Sequence, residues 1–550
     1  MSDRLVAAWQ ASPLASLSHW QLVAVAAVVF PAIAVLLNVI DQLLLPKKPS
    51  LPPHVFHLFP WIGSAVVYGM DPYHFFESCR EKYGDVYTFT LLGRNMTVAL
   101  GPKGSNLIFN GRITEVSAED AYTHLTTPVF GKDVVYDVPN AVLMEQKKFV
   151  KAGLSVDNFR IYVGQIVDEV TKFATQDEAF VELQNGSTEG SVDIFKTMCE
   201  VTILTASRTL QGQEVRDSLD KTFADLYHDL DGGFIPLNFA IPNLPIPSNF
   251  RRDKAQKAMS DFYMQIIEQR RKSQVGSKDG RHDMIEALMD QSYKNGRKLG
   301  DREIAHIMIA LLMAGQHTSS ATGSWAMLRL ASRPEIIERL YAEQKEVYDD
   351  GAGGLRELDY DIQKNSVPLL DAVVRETLRL HPPIHSIMRK VKTDIAVPAS
   401  LASPQSHTSA ASLAANKKTD AGYVIPKDYY VMAAPGVSQT DPKIWKDPAS
   451  FNPDRWMGKG ELEPEEQGET VDYGWGAISS GANSPYLPFG AGRHRCIGEQ
   501  FAYLQLGTIL ATFVRRYSWK LATRFPDPDY NSMIVLPKAP NNRIILKERS

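Results

Sequence analysis

The sequence predicts a mainly α-helical protein with small β-sheets, preceded by one membrane-spanning helix. Three observations carry this. From Leu5 to Ile40 there is no Asp, Glu, Lys or Arg. Asp301–Leu330 has the periodicity of a long helix, apolar nearly all round between Ile304 and Met313, as a helix through a core must be. Phe489-Gly-Ala-Gly-Arg-His-Arg-Cys-Ile-Gly498 reads as a glycine-rich loop that opens a further helix and carries Cys496.

At the N-terminus, Leu22–Leu37 is apolar apart from Pro31, which suits a membrane span over residues 20–40. Asp41 and Lys47-Lys48 close it, and prolines at 46, 49, 52 and 53 stop the helix. Residues 1–45 are therefore read as an anchor. Residues 46–550 are read as one catalytic domain, because no linker divides them. Basic residues follow the span, whereas Arg4 before it is balanced by Asp3, which places that domain on the cytosolic side. No small-residue cleavage site marks the span as a removable leader. Cysteines at 79, 199 and 496 give no disulfide framework and fit a reducing compartment. A net charge of −4 argues against a nucleic-acid partner.

After the anchor, Asp71–Tyr83 reads as a helix, and Val86–Thr90 and Met96–Leu100 as strands separated by Gly93. Tyr122–Asp137 reads as a hairpin-like apolar wall with two phenols, suited to enclosing a flat lipid and reaching a carboxylate. Tyr162–Ala331 is mostly helical, broken at Asp231–Pro247 and Ser273–His282. Glu376 and Arg379, three apart in Asp371–Leu380, project from one helix face as an ion pair. Ala399–Thr419, rich in Ser and Ala, and Gly458–Ser484, acidic then Gly/Ser-rich, read as surface insertions that bury little apolar area.

Cys496 carries the chemistry. Arg493, His494 and Arg495 stand beside it, and glycines at 490, 492 and 498 let the backbone curl round the sulfur. Cations, turn N–H groups and a following helix N-terminus favour a thiolate, and a buried thiolate calls for a metal. Zinc suits the loop poorly, because no second Cys or His lies at ligand spacing. Phe489 and the glycines suit a flat cofactor. The loop resembles the haem-binding loop of the haem-thiolate monooxygenases, the cytochrome P-450 class, in Phe489, Gly492, a basic residue at 494, Cys496 and Gly498. Residue frequencies make a chance match on the order of one in ten thousand. His494 stands where the family more often has Arg.

Two further segments support the resemblance. In Ala314-Gly-Gln-His-Thr-Ser-Ser320, Gly315 costs about 1 kcal/mol within a helix. The Thr318 hydroxyl can bond the Ala314 carbonyl and bend the helix there. The segment resembles the family's oxygen-activation motif, with His317 in a usually acidic place, a feature of the sterol 14α-demethylase branch. Tyr122–Asp137 resembles that branch's signature nearly position for position. Phe451-Asn-Pro-Asp-Arg-Trp456 supplies Arg455, which by resemblance completes a structural Glu-Arg-Arg cluster with Glu376 and Arg379.

The resemblance covers nearly all of Lys47–Lys547 outside the two insertions. It implies a triangular prism of helices around a buried haem b, with Cys496 as axial iron ligand and Phe489 and Gly490 against the cofactor. It assigns Tyr122, Tyr136, Lys147, Arg389 and His494 to the haem propionates. Tyr122, Leu125, Thr126, Phe130, Phe234, Ala314, Gly315, Ile384, Ser386, Ile387, Met388 and Met533 are assigned to a sterol cavity. Met388 replaces the family's aromatic residue, which leaves cavity width and azole affinity open. Thr318, with His317 nearby, would relay protons to dioxygen. The implied activity is oxidative removal of the 14α-methyl group of lanosterol or eburicol as formate, in three steps, within ergosterol-type biosynthesis. Electrons would come from NADPH through NADPH–cytochrome P-450 reductase, with cytochrome b5 as a second donor, at the endoplasmic reticulum membrane. Lys147, Lys148, Lys151, Arg493 and Arg495 would form a basic face for the reductase. An alternative keeps the chemistry but gives it another lipid or a xenobiotic as substrate.

Overall fold

The computed structural model describes residues 18–219, 221–273, 282–402, 422–457 and 484–549. Helix α1 (His19–Leu44) starts at Ser18, which exchanges hydrogen bonds with Gln21, and contains Pro31. Its most apolar stretch has a mean hydropathy of 2.7, and it is the one helix among the described residues long and apolar enough to cross a membrane. Polar side chains tie its lower end to the rest of the chain. Asn38 Nδ2 donates to the His57 and Leu58 carbonyls at 2.8 and 3.0 Å, and Gln42 both donates to and accepts from the His57 backbone.

Helix α2 (Pro72–Tyr83) is capped by the Asp71 carboxylate, with Pro72 at the first helical position, where its missing N–H costs nothing. Strands β1 (Val86–Leu91) and β2 (Arg94–Ala99) form an antiparallel hairpin. Then come α3 (Gly101–Phe109), β3 (Val116–Ser117), α4 (Glu119–Phe130), α5 (Asn140–Gly153) and α6 (Val156–Gln176). β4 (Glu189–Asp193), α7 (Ile194–Ala206), α8 (Lys221–Asp231), α9 (Pro247–Ser273) and α10 (Asp301–Ala331) follow. Beyond them lie α11 (Pro334–Tyr348), α12 (Pro368–Leu380), β5 (Ile387–Val391), β6 (Ile395–Val397), β7 (Tyr423–Ile425) and β8 (Tyr430–Ala433). The chain ends with α13 (Glu499–Arg516), β9 (Tyr517–Leu521), β10 (Pro528–Asp529), β11 (Leu536–Pro537) and β12 (Arg543–Glu548).

The largest sheet has the order β1-β2-β8-β5-β3, and a second pairs β4 and β9 on either side of β12. α10 is buried along most of its length and packs against α7, α9, α12 and α13, so it is the axis of the main apolar core. That is the architecture its unbroken apolar stretch predicts.

Two readings change. Tyr122–Asp137 is not a hairpin: it is the body of helix α4 followed by a 3₁₀ turn at Val135–Asp137. The Thr123 and Thr126 hydroxyls bond the carbonyls of Glu119 and Tyr122 four residues back, which helix geometry allows. The Tyr162–Ala331 stretch also contains β4, which exists because β12 pairs with it from the far end of the chain. Of the expected insertion 399–419, only Ala399–Ala402, a short helix, lies within the described residues. The insertion 458–484 lies outside them except for Ser484.

Candidate active site

The cysteine loop turns at Gly490 and Gly492, both at φ +65°. Gly492 is required: a Cβ there would sit 2.4 Å from the Phe109 carbonyl oxygen. Cys496 N–H donates to Phe489 O at 3.0 Å and Arg495 N–H to Gly492 O at 3.1 Å, closing the loop on itself. Lys147 on α5 caps it, donating to the Arg493 and Arg495 carbonyls at 3.0 and 2.8 Å. Cys496 lies deep in the chain yet keeps an accessible surface, as a group on the wall of an internal chamber does. Burial pushes its thiol up, and the Gly498 N–H, Lys147 and Arg495 offset this only in part. The neighbouring cations alone therefore do not hold a thiolate. Arg495 is spent on a two-pronged bond to Glu499, whose own charge opposes a thiolate, and Arg493 donates to the Gly111 carbonyl. A metal cation at the sulfur would supply the missing stabilisation.

Beside the loop stands a cluster of cations and phenols. Tyr122 and Tyr136 stack at 5.3 Å between ring centres, and Tyr136 faces His494 at 6.0 Å. The Tyr122 hydroxyl accepts from Met388 N–H at 2.8 Å. Arg389 is buried, makes one hydrogen bond, to its neighbour's carbonyl, and pairs with no carboxylate among the described residues. Its charge is felt at Tyr122, Tyr136, Lys147, His494 and Arg493. Glu119, 4.0 Å from His494, is a carboxylate felt there. Burial first, then Arg389, holds the imidazole of His494 neutral, down to about 3. Burial raises both phenols, Tyr136 to about 12, so they remain donors. Donors and cations thus outnumber acceptors, which is the composition of an anion site.

On α10, Ala314 is accessible within a helix buried along most of its length, and a Cβ at Gly315 would meet nothing within 4 Å. The Thr318 hydroxyl donates to the Ala314 carbonyl at 2.8 Å. His317 turns toward α8: its Nε2 lies 2.9 Å from Asp231 Oδ1, out of line for a hydrogen bond, and its ring packs on Tyr227 at 5.4 Å.

The residues expected around a sterol divide into two groups. Phe130 and Phe234 meet edge to face at 5.9 Å, and Met388 packs with Leu125 and Tyr122. Ile387 lies beside Gly490. Ser386 is engaged by Tyr68, whose hydroxyl donates to it at 2.9 Å, and Thr126 spends its hydroxyl within α4. Ile384 and Met533 are accessible. Phe489 packs on Tyr503 of α13 at 5.5 Å.

Behind the loop, Glu376 and Arg379 are fully buried and joined by two bonds of 2.8 Å. Arg455 reaches Glu376 at 3.2 Å, and Trp456 Nε1 and Asn452 N–H donate to the same carboxylate. Gln439 links this cluster to the loop, donating to the Leu378 and Arg379 carbonyls and accepting from Leu487 N–H.

A profile of the family described as cytochrome P450 matches residues 53–401 and 416–545. The chain belongs to the cytochrome P450 family. Among its relatives, a lanosterol 14-alpha demethylase of Mycosarcoma maydis is 63% identical over 98% of this chain and 96% of its own. Lanosterol 14-alpha demethylase erg11 of Schizosaccharomyces pombe is 50% identical over 90% and 93%. An eburicol 14-alpha-demethylase of Uncinula necator is 48% identical over 92% of both. A solved structure of retinoic-acid-bound cyanobacterial CYP120A1 superposes with a TM-score of 0.69 at 19% identity, over 92% of this chain and all of that one. Cytochromes P450 hold haem through a cysteine thiolate, and the residues here fit that group. Cys496 offers an accessible thiol, Gly315 leaves an open flank, and the cations and donors of the Arg389 cluster outnumber Glu119.

Some residues of this P450 site carried no signal in sequence. Asp231, Glu119, Phe109 and Gln439 reach it only through tertiary packing, and only Glu119 lies within a few residues of a recognised motif. An open groove of about 1050 Å³ at the start of α10 shares no lining residue with the site. Four of its rim charges are already paired, Arg271 with Asp301 and Arg297 with Glu303.

Proposed function

We propose that this P450 removes the 14α-methyl group of a C4-methylated sterol, lanosterol or eburicol, as formate, using dioxygen and electrons from NADPH. The observation that carries the proposal is the pairing of a lysine-capped Cys496 loop with an under-neutralised wall of Arg389, His494, Tyr122 and Tyr136, beneath a helix opened at Ala314–Gly315. Relatives named for lanosterol and eburicol across nine-tenths or more of the chain support the substrate class.

Cys496 is assigned as the axial ligand, and haem bound there supplies the oxygen-activating chemistry. Arg389 and Lys147 answer the propionate charges, and the two phenols and neutral His494 donate to them. Lys147 has a second duty, since its ammonium also fixes the loop carbonyls either side of His494. Thr318 holds a hydroxyl at the groove and can pass a proton to a reacting oxygen. His317, partly exposed and close to Asp231, is placed to refill it from solvent. Phe130, Phe234, Leu125, Ile387 and Met388 supply apolar surface that orients a flat sterol and excludes water.

The chain reaches its substrate at a membrane. Beyond α1, Phe59, Trp61, Val66 and Met70 are exposed, as are Leu237, Ile241 and Phe250, and such a surface suits contact with lipid. This supports an endoplasmic reticulum location with the catalytic domain in the cytosol, where NADPH–cytochrome P450 reductase, with cytochrome b5 as second donor, supplies electrons. Of the basic residues expected to receive it, Lys148 and Lys151 are exposed without an ion-pair partner among the described residues. Lys147 and Arg495 are turned to the loop and to Glu499. Azoles would compete for the same chamber.

Reconstitution with reductase, NADPH and either sterol tests the reading: formate and a 14–15-unsaturated sterol are expected. Loss of the haem-thiolate carbon-monoxide band in Cys496→Ala is expected too. Wild-type protein that binds neither sterol and releases no formate would overturn the substrate assignment, and a surviving band would overturn the ligand.

A further inference from the structure

The turn that carries Thr318 is weakly held by its own helix. Gly315 contributes no side chain, and four hydroxyls in succession bond back onto the preceding turn. Thr318 donates to the Ala314 carbonyl at 2.8 Å, Ser320 to His317 at 3.2 Å, Thr322 to Thr318 at 2.7 Å and Ser324 to Ser320 at 2.6 Å. Each competes for a carbonyl that the helix needs for its own N–H, which bends and softens it.

Gln316 lies at the middle of that turn, on the side away from accessible Ala314, because two residues on is over half a turn round a helix. It is buried. Its Nε2 donates to the Cys199 carbonyl at 2.6 Å and its Oε1 lies 3.1 Å from the Thr202 hydroxyl, both on α7. The same stretch of α7 receives Gln505 from α13, whose Nε2 donates to the Thr205 hydroxyl at 2.8 Å and the Thr202 carbonyl at 3.2 Å. Glu499, three residues after Cys496, opens α13. α7 is thus a rail to which the helix behind the oxygen groove and the helix behind the cysteine loop are both fastened by buried amides.

We propose that Gln316 is a positioning residue for the reaction: it splints the Ala314–Thr318 turn to the Cys199 carbonyl and keeps the Thr318 hydroxyl where protons are delivered. The catalytic part rests on the oxygen-site reading of Thr318 above. Without the splint, two electrons from NADPH and two protons go to dioxygen, releasing hydrogen peroxide, and the sterol is left unoxidised.

The test uses full-length, haem-loaded protein in lipid nanodiscs with reductase, as wild type, Gln316→Met, which keeps length and loses both hydrogen bonds, and Thr202→Val, which removes one. Amide exchange over Gly315–Thr322 is measured without turnover, and peroxide and formate per NADPH are measured with it. In Gln316→Met, exchange should rise about tenfold, the consequence of losing a buried hydrogen bond that resists local opening. Formate per NADPH should fall at least about fivefold with a matching rise in peroxide, while sterol affinity stays within about twofold. Thr202→Val should move both readouts in the same direction by about two- to threefold.

Wild-type exchange and wild-type coupling in Gln316→Met would overturn the proposal. If that variant does not load haem, unchanged values in Thr202→Val would overturn it. Should wild-type protein make no formate while exchange still rises in Gln316→Met, the demethylase reading fails and the splint stands.

Discussion

Two clusters of buried cations in this molecule differ in how their charge is answered. Around Glu376, every N–H of Arg379 has an acceptor: two on the carboxylate, and the carbonyls of Gln439, Pro448 and Ser450. Arg455 reaches the same carboxylate, the Asp447 carbonyl and the Ser450 hydroxyl. Around Arg389 the reverse holds: its charge is felt at Lys147, Arg493 and His494, and Glu119 is the carboxylate felt at the last two. A charge satisfied on all sides by protein is scaffold. A charge that protein leaves unanswered beside a chamber is waiting for a ligand. The same residue type therefore does opposite work a short stretch of chain apart, at 379 and 389.

The largest effect expected is at the satisfied cluster. Glu376→Ala leaves two buried guanidinium groups without their shared anion, and removing one partner of such a group costs about 3–5 kcal/mol. Loss of folded, haem-retaining protein is the expected outcome, read by soluble yield and haem content. A folded variant with full haem would show that Arg379 and Arg455 do not need that carboxylate.

Arg389→Leu should behave in the opposite way. Without haem, the variant should be as stable as wild type or more so, because Lys147 and Arg493 lose a repelling neighbour. With haem, it should lose the group about 10- to 100-fold faster, since one charged hydrogen-bonding partner contributes about 1.5–3 kcal/mol. Transfer of haem to an apoglobin acceptor measures this. A variant that unfolds without haem, yet retains haem normally once loaded, would erase the distinction between the clusters.

The next effect concerns histidines that packing keeps uncharged. His381 is stacked on Trp325 at 3.9 Å and accepts from Arg329, and burial, then Arg329 and Arg379, lowers it well below its ordinary value. Burial lowers His385 to about 4. The unfolded chain takes up protons at these positions near pH 6.5 and the folded chain does not. Stability is therefore full above about pH 6.5 and falls as the pH drops toward 4, by about 1.4 kcal/mol per pH unit for each histidine. Denaturant unfolding between pH 7 and 5 should show this slope, and His381→Gln should flatten it by about one proton. An unchanged slope would mean that His381 protonates without disturbing Arg329.

How much of this was legible in the sequence follows from distance along the chain. The cysteine loop, α10 and the Glu376–Arg379 pair were readable because glycine placement, apolar periodicity and a three-residue spacing are local signals. The Tyr122–Asp137 wall was misread as hairpin-like because nothing local shows that its threonine hydroxyls will bond back within a helix. Lys147 was placed on the propionates and the reductase face, and nothing local shows that its ammonium also donates to the loop carbonyls of Arg493 and Arg495. Asp231, which faces His317, lies 86 residues before it, and β4 pairs with a strand some 350 residues later. Only the closed fold brings such partners together, and charge balance at a site is a property of those partners.

The smallest effect expected separates charge from hydrogen bonding within the unanswered cluster. Tyr122→Phe keeps the stack on Tyr136 and removes only the hydroxyl that accepts from Met388 N–H. One buried N–H then loses its partner, at a cost of about 1 kcal/mol, and the neutral donor proposed for the propionates is lost. Haem should dissociate about two- to fivefold faster, well short of the Arg389→Leu effect, because neutral hydrogen bonds are roughly half as strong as charge-assisted ones. Sterol-induced spectral titration of the same variant should shift by a similar small factor, since Tyr122 and Met388 pack in one cluster. Were Tyr122→Phe to release haem as fast as Arg389→Leu, the wall would be holding its ligand by donor geometry, and the unanswered charge of Arg389 would not be what distinguishes it from the Glu376 cluster.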